Sequence, residues 1–163
     1  MIIIADAGPL IGFARIDKLD IIRQLYNTVF IPQKVFDEIT VAGNKPGAKT
    51  ISKAVTSGWI KIVKVKQKKL SDKLKELVDL GEAEAIQLFL EQNADFLLID
   101  DKKGRNVARK FGVKIIGTGG ILLKAKKEGI LNQVTFTLKD LSRVGYRISP
   151  VLCKKILELA EEI

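Results

Sequence analysis

The sequence predicts an α/β protein built on a central, mostly parallel sheet, and two observations carry that prediction. Short continuous apolar runs, typical of strands buried on both faces, occur at Ile2–Ala5 and Phe96–Ile99. Between such runs lie segments with helix caps and helically spaced apolar residues, so strands alternate with helices. The chain has 163 residues, and we expect one domain spanning residues 1–163.

In chain order, the predicted strands are apolar runs bounded by turn or helix signals. They are Ile2–Ala5, Thr28–Ile31, Trp59–Val65, Phe96–Ile99 and Val113–Ile116. Proline and glycine mark several boundaries: Pro9 suits a first helical turn, Pro32 ends the second strand, and Gly112 and Gly129 stop helices.

The predicted helices share a cap, a stop signal or an apolar face. They are Ala7–Ala14, Asp17–Leu25, Gln33–Ala42, Gly47–Ser57, Ser71–Leu80 capped by Ser71, Gly81–Gln92, Asp101–Phe111, Thr118–Glu128, Leu138–Val144, and Pro150–Ile163 capped by Ser149. A turn is predicted at Gly43–Pro46. The last two helices form a C-terminal helical extension at about residues 138–163.

Composition limits the chemistry, because the chain contains no histidine. Histidine acid–base catalysis, Ser-His-Asp or Cys-His triads and His-ligated zinc are therefore excluded. A catalytic or metal site has to use carboxylates and hydroxyls, which suit Mg²⁺ or Mn²⁺. The single Cys153 fits a reducing compartment, and no stretch approaches the roughly 18 apolar residues of a membrane span. We expect a cytoplasmic protein without a membrane segment.

The formal net charge is +9, from 28 basic and 19 acidic residues. The basic residues form three groups: Lys61, Lys64, Lys66, Lys68, Lys69, Lys73 and Lys75; Lys102, Lys103, Arg105, Arg109 and Lys110; and Lys124, Lys126 and Lys127. A polyanionic partner accounts for this excess, and so does an ordinary lysine-rich surface. Charge alone leaves both interpretations open.

Two apolar runs end in carboxylates where a helix begins. Asp6 follows the first strand, and Asp100 and Asp101 follow the fourth. If both strands are central and parallel, these acids lie at one sheet edge, where open α/β sheets bind ligands. A divalent cation would offset the repulsion between them. The alternative is that Asp6 and Asp101 cap helices and Asp100 is solvated.

Helical spacing separates further acidic candidates. In Gln33–Ala42, Glu38 falls at the edge of the apolar face and Asp37 on the far side. In Gly81–Gln92, Glu82 falls within the apolar arc and Glu84 on the polar side. We therefore expect Glu82 to face the sheet edge, while the pattern allows Glu38 either to face that edge or to be an ordinary glutamate at the boundary of the apolar face.

A third strand end carries Thr118, inside Gly-Thr-Gly-Gly. Its hydroxyl is a candidate for contact with a hydrated metal or a phosphate. The alternative is that Thr118 caps the following helix. The glycines match neither a Walker A loop nor a dinucleotide fingerprint.

The order of these motifs resembles the PIN domain superfamily. It runs Ile-Ala-Asp-Ala-Gly-Pro-Leu-Ile, Ile-Pro-Gln-Lys-Val-Phe-Asp-Glu, Gly-Glu-Ala-Glu-Ala-Ile and Leu-Leu-Ile-Asp-Asp-Lys-Lys-Gly-Arg. The later Gly-Thr-Gly-Gly-Ile-Leu-Leu-Lys-Ala-Lys and Leu-Ser-Arg-Val-Gly-Tyr-Arg-Ile-Ser are similar to a prokaryotic branch with VapC-type toxins. The resemblance implies a PIN-like three-layer α/β/α sandwich and a Mg²⁺- or Mn²⁺-dependent ribonuclease.

Carried onto this chain, the resemblance implies Asp6, Glu38, Glu82 and Asp101 as the acids of the site. Glu84 is close in register to Glu82, and Asp100 stands beside Asp101 as a further metal ligand. Two positions depart from the family pattern, because Ala7 and Ile99 stand where many PIN domains have a hydroxyl. Thr118 is a possible substitute for those hydroxyls.

The main hypothesis is therefore a metal-dependent endoribonuclease that cleaves single-stranded RNA as the toxin of a toxin–antitoxin pair. Its expected partners are an RNA substrate, a cognate antitoxin protein and a second copy of the chain. An alternative hypothesis, motivated by Ala7 and Ile99, is a PIN-fold nucleic-acid-binding module with little or no catalysis. A phosphoacceptor signalling domain is a third, which lacks a well-placed lysine after the last strand.

Overall fold

Strands and helices alternate as the sequence predicts, in a computed structural model that describes residues 1–41 and 46–163. Over those residues the strands are β1 (Ile3–Ala5), β2 (Val29–Pro32), β3 (Ile60–Val63), β4 (Phe96–Leu98) and β5 (Ile115–Ile116). The helices are α1 (Ala7–Arg15), α2 (Asp20–Tyr26), α3 (Gln33–Thr40), α4 (Ala48–Ser57), α5 (Lys68–Lys75), α6 (Leu80–Gln92), α7 (Lys102–Lys110), α8 (Thr118–Lys127), α9 (Thr135–Arg143) and α10 (Pro150–Leu159).

The five strands form one parallel sheet in the order β3-β2-β1-β4-β5. β1 lies at its centre, where Ile4 pairs with Phe30 of β2 and with Leu97 of β4. The strand order reverses at β1, because β2 and β3 extend to one side and β4 and β5 to the other. The α/β prediction is confirmed, and every described strand pair is parallel.

Side chains of successive strand residues enter two separate cores, as the twofold period of a strand requires. Ile3 and Leu98 pack into a core with residues of α1, α2, α4 and α8. Ile4 and Leu97 pack into a second core with residues of α6 and α7. Helices therefore cover both faces of the sheet, which explains why β1 and β4 are apolar without interruption.

Several predicted boundaries differ from the observed ones. The helix predicted at Ser71–Leu80 begins three residues earlier, at Lys68, and ends at Lys75. A turn follows it, so that α6 starts at Leu80 with Asp79 as its N-cap. β5 is shorter than Val113–Ile116, because Val113 turns into the second core, where its N–H donates to the Ala108 carbonyl.

The remaining differences concern element ends. β3 stops at Val63 rather than Val65, and α9 begins at Thr135 rather than Leu138. α2 begins at Asp20 rather than Asp17, and α10 ends at Leu159 rather than Ile163. The end of the helix predicted at Gln33–Ala42 and most of the turn predicted at Gly43–Pro46 lie outside the described residues. In the described part of the chain, no helix is both long and apolar enough to cross a membrane.

Candidate functional site

Asp6 lies at the carboxyl edge of the sheet, where the strand order reverses. Its backbone N–H donates to the Leu98 carbonyl at 2.9 Å, which fixes the end of β1 against the end of β4. In open α/β sheets this reversal opens the crevice where ligands bind. The ends of β1 and β4 thus bring Asp6 and the Asp100–Asp101 pair to the same edge, as predicted.

The Asp6 side chain is buried, with 8% of its surface exposed. It occupies the N-cap position of α1 but makes no capping hydrogen bond, so the helix-cap alternative does not explain it. Burial is the main cause that raises the pKa of Asp6 to about 7, and the charges of Asp79, Glu38 and Asp101 contribute to that rise. The backbone N–H of Ala7 opposes this rise. Asp6 is therefore a carboxyl held among other carboxyls.

Glu82 is the second buried acid, with 6% exposed. It forms a capping box with Asp79: the Glu82 N–H donates to Asp79 Oδ1 at 2.8 Å, and the Asp79 N–H donates to Glu82 Oε1 at 3.3 Å. Glu82 Oε2 is buried and accepts no hydrogen bond from the described residues. Burial raises the pKa of Glu82 strongly, and the Asp101, Asp79 and Asp6 carboxyls add to the rise.

Glycines bring the helix starts close to two of these carboxylates. A Cβ on Gly104, in the first turn of α7, would overlap Glu82 Oε2. A Cβ on Gly81, in the first turn of α6, would overlap the Glu38 carboxylate. Each carboxylate therefore lies against helix backbone in space that a side chain would fill, near the positive end of a helix dipole.

Glu38 and Asp37 take the orientations that helical spacing predicts. Glu38 is half-buried and reaches across to Gly81 of α6. Asp37 is exposed and accepts a hydrogen bond from Gln33 Nε2 at 2.9 Å. Glu84 lies elsewhere as well, since its Oε1 accepts from the Lys34 N–H at 3.3 Å, at the start of α3.

Asp100 and Asp101 diverge although they are adjacent. Asp101 is exposed and caps α7, with Oδ2 accepting from the Gly104 N–H at 2.8 Å. Asp100 is half-buried: Oδ1 accepts from the Thr118 N–H at 2.8 Å, and Oδ2 accepts from the Thr118 and Tyr146 hydroxyls. The alternative that Asp100 is solvated is wrong. The main charges acting on Asp6 and Glu82 include Asp101 and not Asp100.

Thr118 is 1% exposed, and its hydroxyl is committed to Asp100. The expectation that Thr118 caps the helix is wrong, because Gly117 is the N-cap of α8 and Thr118 is its first residue. The Tyr146 ring packs against Gly12, where a Cβ would lie 2.9 Å from ring atoms. Burial and Asp100 raise the pKa of Tyr146. Through its hydrogen bond to Asp100, Tyr146 anchors the segment after α9 to the end of β4.

Sequence reasoning missed two residues of this region. Asp79 was placed inside a helix, although Asp-Leu-Gly-Glu at residues 79–82 has the spacing of a capping box, which signals a helix start. Tyr146 has no comparable local signal, because its role depends on contacts with residues far away in the chain.

Asp6, Glu38, Asp79, Glu82 and Asp101 are named here the acidic cluster. No Lys or Arg of the described residues forms a salt bridge with Asp6, Asp79, Glu82 or Asp101. Buried carboxyls without a cation are costly, and an oxygen-only donor set suits a hard divalent ion. Glu82 Oε2, a buried oxygen without a hydrogen-bond partner in the described part of the chain, also fits a metal ligand. In the described part of the chain, no three Asp, Glu or Cys side chains are already arranged so that they could hold a metal ion together.

Comparison with known families gives one match. A family model described as a PIN domain matches residues 2–162. No curated protein matches the chain. The family match covers β1 to α10 and so includes every residue of the acidic cluster.

Proposed function

This chain belongs to the PIN domain family, and from that membership we propose that it is a metal-dependent endoribonuclease that cleaves single-stranded RNA. PIN domains are generally nucleases, so hydrolysis of a nucleic-acid backbone is the broader part of the proposal. The observation that supports it most is the buried pair Asp6 and Glu82 at the sheet's reversal point. Both pKa values are raised, and neither carboxyl forms a salt bridge with a Lys or Arg of the described residues, as expected of carboxyls that bind a metal ion.

We assign Asp6, Glu38, Glu82 and Asp101 to the binding of Mg²⁺ or Mn²⁺. When bound, the ion would supply a Lewis acid that lowers the pKa of water and stabilises charge on the scissile phosphate. Asp6 and Glu82 would release their protons as the ion enters, since carboxylates bind metals in the ionised form. Asp79 holds Glu82 in place through the capping box.

Asp100 is not included among these ligands. Its two oxygens already accept three hydrogen bonds, from Thr118 and Tyr146. We assign it instead to anchoring the segment after α9 beside the site.

Matched pairs of variants test the assignment. We expect Glu82→Gln to lower Mn²⁺-dependent cleavage of single-stranded RNA by roughly 100-fold, the scale for losing one preorganised electrostatic group. Glu84→Gln, two residues away on the same helix, should stay within about threefold, because Glu84 is outside the acidic cluster and Gln keeps an oxygen that can accept from the Lys34 N–H. Glu38→Gln and Asp37→Asn form a second pair. Cleavage that persists in EDTA, or equal losses within a pair, would disprove the proposal.

An alternative function is an RNA-binding module with little or no catalysis. Its support lies at the two positions where many PIN domains carry a hydroxyl: Ala7 and Ile99 are buried apolar residues, and the nearby Thr118 hydroxyl is engaged by Asp100. RNA binding without cleavage across Mg²⁺ and Mn²⁺ titrations would favour this alternative over the nuclease.

We further propose that the chain acts in the cytoplasm as the toxin of a toxin–antitoxin pair and pairs with a second copy of itself. The exposed apolar residues Val151, Leu152 and Leu159 of α10 are consistent with contact to another protein. Growth arrest on expression, relieved by Asp6→Asn, is the expected result. Unimpaired growth, or a purely monomeric mass in solution that Val151→Asp leaves unchanged, would contradict the corresponding part.

A further inference from the structure

A basic cleft lies beside the acidic cluster. It has a volume of about 400 Å³ and is bounded by α7 on one side and by the segment from Arg147 to Leu152 on the other. Four cationic side chains line it: Lys102, Arg105, Arg109 and Arg147. Lys102 directly follows Asp101, so one wall of the cleft begins next to a residue of the acidic cluster.

The cations of this cleft form no salt bridges in the described part of the chain, although the charge of Asp100 acts on Arg105. Arg109 Nη1 contacts only the Asn106 side chain, at 3.4 Å, and Arg105 Nη1 donates to the Ile99 carbonyl at 2.9 Å. Burial and the nearby charge of Arg109 lower the pKa of Arg105. Like charges gathered in this way favour an anionic ligand.

One carboxylate lines the cleft, Asp100, and its negative charge acts on Arg105. Asp100 uses both oxygens to accept hydrogen bonds from Thr118 and Tyr146. It lies near Arg105, since a Cβ on Gly117 would be 2.8 Å from both Arg105 Nη1 and Asp100 Oδ1, yet the two groups form no salt bridge. The guanidinium groups of Arg109 and Arg147 are left exposed to a ligand.

We propose that this cleft binds phosphate groups of the RNA strand next to the scissile bond, with Arg105, Arg109 and Arg147 as the phosphate-binding residues. The inference rests on the ribonuclease function proposed above and names where its substrate is held. Guanidinium groups suit this role because their fork of donors matches phosphate oxygens. Contacts of this kind position a strand without reading its bases.

The larger lysine group at residues 61–75 lies in a different part of the fold from this cleft. That group lies on β3, α5 and the segment between them, and β3 is the edge strand two positions from β1. The cleft, by contrast, lies on the helix that follows β4, the neighbour of β1. We therefore expect the more numerous lysines to contribute little to RNA affinity.

The test is fluorescence anisotropy with a labelled single-stranded RNA in EDTA, where binding is measured without hydrolysis. The double variant Arg109→Gln and Arg147→Gln removes two exposed charges, and the matched control Lys69→Gln and Lys73→Gln removes two exposed charges from α5. Two lost phosphate contacts should weaken binding about 25-fold at about 0.1 M salt and reduce the salt slope by about 1.4. The control should change affinity less than about twofold.

Equal losses in the two double variants would overturn the inference, because they would show that only total charge matters. Thermal melts verify that both variants fold. Inorganic phosphate at matched ionic strength should displace RNA from the wild type better than chloride does, because it competes for the same guanidinium groups, and this advantage should disappear in the Arg109→Gln and Arg147→Gln double variant. An equal advantage of phosphate in both proteins would place the phosphate site elsewhere and also overturn the inference. Cleavage is scored separately, so RNA binding through Arg109 and Arg147 without hydrolysis would refute the nuclease function, and with it the scissile bond, while supporting RNA binding by this cleft.

Discussion

Replacing Asp6 by Asn is expected to stabilise the metal-free protein at neutral and alkaline pH, although it removes a proposed metal ligand. Burial raises the pKa of Asp6 from 3.8 to about 7 in the folded state. Between these values the folded protein holds a proton that the unfolded chain has released. The free energy of unfolding of the wild type therefore falls as pH rises through this window.

The size of the effect follows from the pKa shift. A rise of about three units, at about 1.4 kcal/mol per unit, corresponds to about 4 kcal/mol of stability lost between pH 4 and pH 7. Asn has nearly the same shape as Asp and carries no charge at any pH. The difference in unfolding free energy between Asp6→Asn and the wild type should therefore be near zero at pH 4 and approach about 4 kcal/mol at pH 8. Water entering the site would lower that upper value.

Urea unfolding in EDTA at a series of pH values measures this difference. Asp37→Asn is the matched control, because Asp37 is exposed on α3. The difference in unfolding free energy between Asp37→Asn and the wild type should not grow between pH 4 and pH 8. In Mn²⁺ at a concentration of 100 Kd the difference at pH 8 should shrink by about 2.7 kcal/mol, because the wild type gains ligand stabilisation that the variant lacks. A difference that does not vary with pH in EDTA, or a destabilised Asp6→Asn protein at pH 8, would refute the electrostatic reasoning.

Two further substitutions probe the packing around the acids. Gly104→Ala should lower the free energy of unfolding by about 1–3 kcal/mol and weaken Mn²⁺ binding, because its Cβ overlaps Glu82 Oε2. Gly8→Ala should lower it little, because the nearest neighbour of its Cβ would be 3.9 Å away. Thermal melts with and without Mn²⁺ compare the two variants, and equal effects would contradict the overlap. Tyr146→Phe should lower the free energy of unfolding by about 2 kcal/mol, because it removes the hydroxyl that donates to Asp100 and keeps the ring that packs on Gly12. An unchanged free energy of unfolding in urea would show that this hydrogen bond contributes nothing to stability.

Much of the fold could be predicted because its central strands are buried on both faces. β1 and β4 are apolar without interruption, and the helices between strands carry clear caps or stops. The boundary between α5 and α6 was harder to locate, because Leu74 and Val78 keep helical spacing beyond the observed end of α5. Both side chains are buried in the second core, so burial continues where the helix does not.

The candidate site could be predicted only in part. Periodicity separated Glu38 from Asp37 and Glu82 from Glu84, since each pair differs in its position around a helix. Asp100 and Asp101 follow the same strand, and local pattern does not tell them apart. Their directions depend on Thr118 and Tyr146, which reach Asp100 from segments 18 and 46 residues away.

The position of β1 between β2 and β4 has a consequence for folding kinetics. β1 and its neighbour β2 are close in sequence, whereas β1 and β4 are far apart. Just before these two strands, the Ile2 N–H donates to Asp95 across 93 residues. Loop-closure entropy makes such a pairing slow. Asp6 and Asp101 therefore meet only once this late pairing forms, and their mutual repulsion should slow a late step of folding rather than prevent early collapse.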